Sequence, residues 1–403
     1  MNTLYRLSEP LTPVRVPVVV PAPMPASAAL PSPARSRDLA SIPLPTDTTS
    51  SARHDPSTEL PVVLLTGASG VVGEAIARAL RPIFRVVALR GRRASAHAHH
   101  EVPVDLASPR LGLDSSAWTE LAARADVVVH AGGRACFDDK ADDFHCVNVS
   151  GSRRMAELAH DADAPLIHIS TAFVDHIEHA REAAAMIPGD CAARPLTYLE
   201  SKIAAERAVA ASDALACVVR PSVVMGDTGT GWIPEHQAVH GHIKLLLGGA
   251  RTSACGPHQR LDMVPRDLLA RTVTALAVVA VRDSGRLPAL YRVCAGAAAP
   301  TCEEFAQQVV ETARGAGLRL PQPEFHDPAK APLVEFPKWA SLPERAREVL
   351  AIQAAGSTIL GAGEVFPTSL GGHELPDGPP ALTLDQALRN LDADIRFVLT
   401  GGR

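Results

Sequence analysis

Aromatic residues are scarce in this 403-residue chain, at 4%, which removes the stacking platforms that single-stranded nucleic acid requires. Neither sign of charge dominates: 39 Lys and Arg stand against 44 Asp and Glu, a formal net charge of -5. Such a balance offers no basic stripe to gather nucleic acid or an anionic membrane. No apolar run approaches the roughly 18 residues that span a bilayer, so a soluble protein with no membrane span is expected. The seven cysteines, at 136, 146, 191, 217, 255, 294 and 302, include no CxxC pair. Odd in number and scattered, they predict reduced packing thiols, a cytoplasmic setting and no zinc. His97, His99 and His100 follow Arg92-Arg93-Ala94-Ser95 and lack a partner set that completes a tetrahedron. A solvated surface loop is expected there, and no metal site.

Proline is abundant in one place. Eleven prolines between positions 10 and 56 interrupt every helix or strand that residues 1–60 could form. Such a segment buries too little apolar surface to offset its ordering entropy, so a disordered Pro-rich tail is expected. From Leu60 onward strand and helix signals alternate, which predicts an α/β fold built on a doubly wound parallel sheet, a Rossmann arrangement. Val62–Leu65 is continuously apolar, as a central parallel strand should be. Further strands are expected at 85–89, 127–130, 166–170 and 216–220, with helices at 71–80, 118–124, 147–160 and from about Tyr198. The nucleotide-binding domain is read as 61–300. The remainder, 301–403, reads as a smaller, mostly helical substrate lobe with helices at 303–314, 343–355 and 384–399. Loops at 176–195 and 226–260 complete it.

The first strand runs into Thr66-Gly67-Ala68-Ser69-Gly70-Val71-Val72-Gly73 and then a helix. Glycines at 67, 70 and 73 supply a tight turn, close approach of backbone to pyrophosphate, and helix N-terminal amides aimed at the anion. The strand–turn–helix setting makes Gly67, Ser69, Gly70, Val71, Val72 and Gly73 cofactor-binding candidates. At the end of the second strand an NAD-preferring site would carry Asp or Glu for the ribose hydroxyls. Arg90 stands there, with Arg92 and Arg93 after it. Guanidinium forks pair with a 2′-phosphate, so NADPH is the expected cofactor.

Tyr198 and Lys202 stand four residues apart on a predicted helix, hence on one face. An ammonium about 4 Å from a phenol contributes roughly 4 kcal/mol at an effective dielectric near 20. That interaction is expected to draw the phenol down from about 10 toward the working range of a general acid. Thr171 closes the fifth strand, 27 residues upstream, where strand ends face the cofactor crevice. Its hydroxyl can bond the same reacting oxygen. Ser170 is the rival, which strand alternation sends to the opposite face.

This set resembles the extended short-chain dehydrogenase/reductase superfamily, and within it the thioester reductase domains and fatty acyl-CoA reductases. The resemblance runs through Val104–Leu113, 127–137, Asn148–Gly151, Ile167–Ala172, Arg220–Gly231 and Asp262–Pro265. It implies catalytic roles for Thr171, Tyr198 and Lys202. It also implies that Asp105, Leu106, Ala131, Gly132, Gly133, Asn148, Ser170, Arg220, Pro221 and Ser222 border the cofactor. Gly132-Gly133 replaces the small alanines usual after the fourth strand, and no adenylation or carrier segment is seen. The implied activity is NADPH-dependent reduction of an acyl thioester, carried by a carrier protein or by CoA, to an aldehyde. Two other readings share the cofactor residues: a sugar-nucleotide or hydroxysteroid-type dehydrogenase or epimerase, and a non-catalytic NADP-binding redox sensor.

Overall fold

The computed structural model describes residues 60–135, 144–187, 193–336, 339–360 and 365–402. The Pro-rich segment expected to be disordered lies outside them up to residue 59, as do Cys136 and Cys191.

The first half alternates as expected: β1 (Val62–Thr66), α1 (Val71–Leu80), β2 (Arg85–Arg90), β3 (His100–Pro103) and α2 (Ser115–Ala122). Then come β4 (Val127–His130), α3 (Ser150–Asp161), β5 (Leu166–Ile169), α4 (Ile177–Ala184) and α5 (Ala193–Ala210). β6 (Ala216–Pro221) is followed by β7 (Val223–Met225), α6 (Ala238–Leu247), β8 (Thr252–Ser253) and β9 (Met263–Pro265). α7 (Arg266–Arg282) leads to β10 (Leu290–Val293), α8 (Cys302–Gly315) and β11 (Glu324–Phe325). The last helices are α9 (Glu344–Leu360) and α10 (Leu384–Leu399).

Seven strands form one sheet in the order β10-β6-β5-β4-β1-β2-β3, every neighbour parallel. The winding therefore reverses between β1 and β4, and ligands of such sheets bind in the crevice at that reversal. β1 is apolar from Val62 to Leu65 because both its faces are covered. Val63 and Leu65 face the layer of α1 and α7, whereas Leu64 faces that of α2 and α3. Leu64 and Leu65 are wholly buried, so either Leu→Ala change should cost about 2–5 kcal/mol. β6 instead alternates, with Cys217, Val219 and Pro221 buried and Ala216, Val218 and Arg220 half-buried.

Three sequence expectations need correction. The histidine run is the expected loop only as far as His99, which is exposed. His100 opens the edge strand β3, the His99 Nδ1 accepts from the Val86 N–H at 3.0 Å, and His97 lies 2.8 Å from Glu74. Charged and polar side chains are what an edge strand carries. Second, the segments read as loops at 176–195 and 226–260 contain α4, α6 and β8. Third, β10 adds a seventh strand beyond β6; its Leu-Tyr-Arg-Val alternates half-buried and buried residues and offers no continuous apolar run to read.

Among the described cysteines, Cys217, Cys255, Cys294 and Cys302 are free and buried, and Cys146 is free and exposed. Among the described residues no helix is long and apolar enough to cross a membrane. α10 reaches back to the crevice side of the sheet. The Asp394 carboxylate accepts from the Gly226 N–H at 3.1 and 3.2 Å and faces His240 at 3.1 Å. Gly226 and Gly231 are required there. A Cβ on Gly231 would stand 2.4 Å from the Ala393 carbonyl oxygen, and φ at Gly231 is +64°.

Candidate active site

The glycine turn sits at the point where the winding reverses. Gly67 has φ +73°, and a Cβ on it would lie 2.6 Å from the Ala131 carbonyl oxygen at the end of β4. A Cβ on Gly73 would lie 2.1 Å from the Gly67 carbonyl oxygen. Only glycine fits either place. α1 begins after Gly70 with no side-chain cap on its first amides, which leaves them to bind an anion. Ser69, Val71 and Val72 are half-buried beside it. This cradle, closed to a Cβ and open at the helix N-terminus, fits the pyrophosphate of a dinucleotide.

Gly132 and Gly133 continue the floor. Gly132 N–H donates to Thr66 Oγ1 at 3.0 Å, and a Cβ there would stand 3.0 Å from that oxygen and 3.1 Å from Leu106. A Cβ on Gly133 would lie 3.1 Å from Asn148 Oδ1 and 4.0 Å from Lys202 Nζ. The departure from alanine is thus matched by close packing, and it brings Asn148 and Lys202 to one spot. Asn148 lies in a wide π-type turn (His145–Val149) leading into α3. Its Oδ1 accepts from the Arg134 N–H at 2.8 Å, and its Nδ2 donates to the Arg134 carbonyl and to Ser201 Oγ, both at 3.0 Å. Ser201, which sequence reasoning missed, thereby locks the turn onto α5. Asp105 organises its own turn, accepting from the Ala107 N–H and the Ser108 hydroxyl at 2.9 and 2.6 Å. Leu106 packs on Gly132 and Gly151.

Arg90 closes β2 as expected, but its Nε pairs with Glu101 of β3 at 3.2 Å. Arg92 is exposed, and Arg93 lies 3.8 Å from Glu235. The basic cluster is therefore shared between a prospective phosphate and two carboxylates of the chain itself.

α5 starts more than a turn before Tyr198 and carries Tyr198 and Lys202 on one face. The Tyr198 ring is half-buried, 6.1 Å from the Phe144 ring. Lys202 Nζ donates to the Ile169 carbonyl oxygen at 3.0 Å. The expected lowering of the phenol is not found. Burial pushes the Tyr198 phenol up to about 12 and Lys202 down to about 8, the latter opposed by Glu206. Taking either charge out of water costs more here than their mutual attraction returns. Ser170 and Thr171 are both buried. Thr171 Oγ1 caps the following short turn (Ala172–His176), while Ser170 Oγ has no partner among the described residues.

Beneath Lys202 stand two buried imidazoles in register across β4 and β5, His130 and His168, ring centroids 5.4 Å apart. His130 Nδ1 meets Thr66 Oγ1 at 2.7 Å. Burial, with Lys202 adding, pushes His130 down to about 3 and His168 well below its ordinary value. Arg220 takes a course the resemblance did not imply. Its guanidinium binds Glu206 of α5 at 3.0 and 2.5 Å and Asp175 at 2.5 Å. Pro221 and Ser222 are buried. Asp262 of the 262–265 segment accepts from the Ala295 and Gly296 N–H groups at 2.8 and 2.7 Å.

A doubly wound sheet with a glycine cradle at its reversal and a Tyr–Lys pair on α5 is the arrangement expected of an NAD(P)-dependent oxidoreductase. The profile of the male sterility protein family matches residues 82–273, and over that stretch the chain is similar to this family. A hybrid PKS-NRPS synthetase of Talaromyces variabilis is 27% identical over 236 residues, 55% of this chain but 6% of the synthetase. The chain thus spans a small fraction of that relative's length. A dTDP-4-dehydrorhamnose reductase of Shigella flexneri is 24% identical over 288 residues, covering 71% of this chain and 88% of that protein. Among solved structures, the terminal R domain of the myxalamid PKS-NRPS pathway superposes with TM-score 0.60 at 20% identity. That superposition covers 85% of this chain and 92% of the domain, and it shows a shared fold.

Proposed function

We propose that the protein is an NADPH-dependent reductase that releases an aldehyde from an acyl thioester, with a carrier-protein-bound acyl chain as its substrate. The observation that carries the reading is the convergence of the glycine cradle, Gly133, Asn148 and Lys202 at one point of the crevice. NADPH would be held by residues 67–73 and, at its 2′-phosphate, by Arg90, Arg92 and Arg93. When bound, its nicotinamide supplies the hydride that the thioester carbonyl carbon accepts.

The chain's own residues handle the proton. Tyr198, a phenol that carries its proton at neutral pH, donates to the carbonyl oxygen as negative charge develops there. Thr171 hydrogen-bonds the same oxygen. Lys202 steadies the cofactor ribose and restores the proton to Tyr198. Collapse of the thiohemiacetal then releases thiol and aldehyde. No acyl-enzyme is needed, which agrees with the absence of a Gly-x-Ser-x-Gly elbow from the sequence.

The test supplies NADPH and a set of carrier-bound and CoA acyl thioesters, traps aldehyde with a hydrazine, and counts thiol released per NADPH consumed. One thiol per NADPH is expected. Thiol without NADPH consumption would mean hydrolysis and sink the reading. The likeness to dTDP-4-dehydrorhamnose reductase, which extends over 71% of this chain, favours a sugar-nucleotide substrate as the second reading; NADPH oxidation by sugar nucleotides alone would select it.

A further inference from the structure

The three proposed catalytic side chains ride on two segments, Thr171 on the turn after β5 and Tyr198 with Lys202 on α5. Proton transfer needs them aligned to a fraction of an ångström, so something must hold the two segments in register. One side chain touches both. Arg220 of β6 gives Nε and Nη2 to the two oxygens of Glu206, at 3.0 and 2.5 Å, and Nη1 to Asp175 Oδ1, at 2.5 Å.

The positions of the two carboxylates matter. Glu206 is one helical turn beyond Lys202 on α5, and Asp175 is four residues beyond Thr171 in the short turn that Thr171 caps. Arg292 of β10, paired in register with Arg220, takes the other Asp175 oxygen at 2.9 Å. Glu206, Arg220, Asp175 and Arg292 therefore form one chain of alternating charge across α5, β6, the turn and β10. The side chains of Glu206, Arg220 and Asp175 are no more than 20% exposed, so salt and water screen them less than a surface pair. A lysine has a single ammonium and cannot reproduce a fork that grips one carboxylate with two nitrogens and a second with the third.

We propose that Arg220 is a positioning residue for the Thr171–Tyr198–Lys202 set, clamping Glu206 of the Tyr–Lys helix to Asp175 of the Thr171 turn. The proposal rests on the reductase reading above for its kinetic consequences, while the clamp itself is a matter of geometry.

The test uses the full chain with Arg220→Lys, Arg220→Met, Asp175→Asn and the Asp175→Asn/Arg220→Met double variant. Each is measured for kcat, KM, NADPH Kd, melting temperature and backbone hydrogen exchange. Arg220→Lys and Asp175→Asn are expected to melt near the parent and bind NADPH within about twofold, yet lose about tenfold or more in kcat. The double variant should be no slower than Arg220→Met alone, because the two residues act through one clamp. Amide exchange should rise at 171–177 and 198–207 and stay unchanged in β1 and β4. Parental kcat in Arg220→Lys, losses that multiply in the double variant, or a loss confined to NADPH affinity would overturn the clamp. If Arg220→Met fails to fold, the lysine and asparagine variants decide. A parent inactive on every thioester sinks the proposed function alone. The kinetic ratios are then read on whichever carbonyl compound is reduced, and hydrogen exchange judges the clamp without any substrate.

Discussion

Lys202 donates from Nζ to the Ile169 carbonyl oxygen across 3.0 Å, and so binds α5 to the last residue of β5. The ammonium is thereby anchored to backbone, two residues before Thr171, rather than left to swing toward solvent.

Tyr198→Phe should reduce kcat by about 100-fold or more while changing NADPH Kd less than about twofold, because the ring still packs near Phe144. Lys202→Met should damage both constants. Stopped-flow turnover and nucleotide fluorescence titration check this. A phenylalanine variant with near-parental kcat would remove Tyr198 from the role of acid.

Arg90→Ala should weaken NADPH by about tenfold or more and leave NADH nearly unchanged, the loss expected for one charge-assisted contact of about 1.5–3 kcal/mol. Glu101→Gln tests the same site from the other side. It frees the Arg90 guanidinium from a partly exposed pair worth at most about 1 kcal/mol, so NADPH should bind up to about fivefold tighter. Equal affinity for NADH and NADPH in the parent refutes the assignment.

Gly67→Ala should abolish nucleotide binding and lower the melting temperature. The alanine would need φ near +73° and a Cβ 2.6 Å from the Ala131 carbonyl oxygen, and the left-handed backbone alone costs about 1–2 kcal/mol. Calorimetry with NADPH and a thermal melt measure the two effects.

Acid should destabilise the fold through its buried imidazoles. His130 is held down to about 3 and His242 to about 4, with His168 also well below 6.5. Below pH 6.5 the unfolded chain takes up these protons while the folded chain does not, so stability present above that pH falls as pH drops toward 4. Each site contributes a slope of about 1.4 kcal/mol per pH unit. Neither ring nitrogen of His168 has a partner among the described residues, so His168→Leu should flatten the slope by one proton. Urea titrations between pH 4 and 7 measure it; an unchanged slope contradicts the burial argument.

Much of the fold was legible because its signals are local. The helix at 384–399 matches residue for residue, since Thr383 and Gln386 form a capping box ahead of a regular apolar face. The glycine cradle was readable from spacing, because close approach of backbone leaves glycine no substitute. What stayed hidden depends on depth and on distant partners. β3 reads as a polar loop because an edge strand needs no apolar face, and β10, Leu-Tyr-Arg-Val, lacks the continuous apolar run of β4 and carries Arg292 unnoticed. Spacing put Tyr198 and Lys202 on one face, but it carried no information on how far each is from water. The pairing of Arg220 with Glu206 and Asp175 joins three segments, and no pattern within any one of them announces it.

The reach of Asp394 to Gly226, 168 residues away, sets an order of events during synthesis. A chain growing from its N-terminus contains the residues of β1 to β6 long before Asp394 has been made. The turn at 226–231 cannot seat against Ala393 and Asp394 until α10 has been made, so this contact is among the last that a growing chain can form.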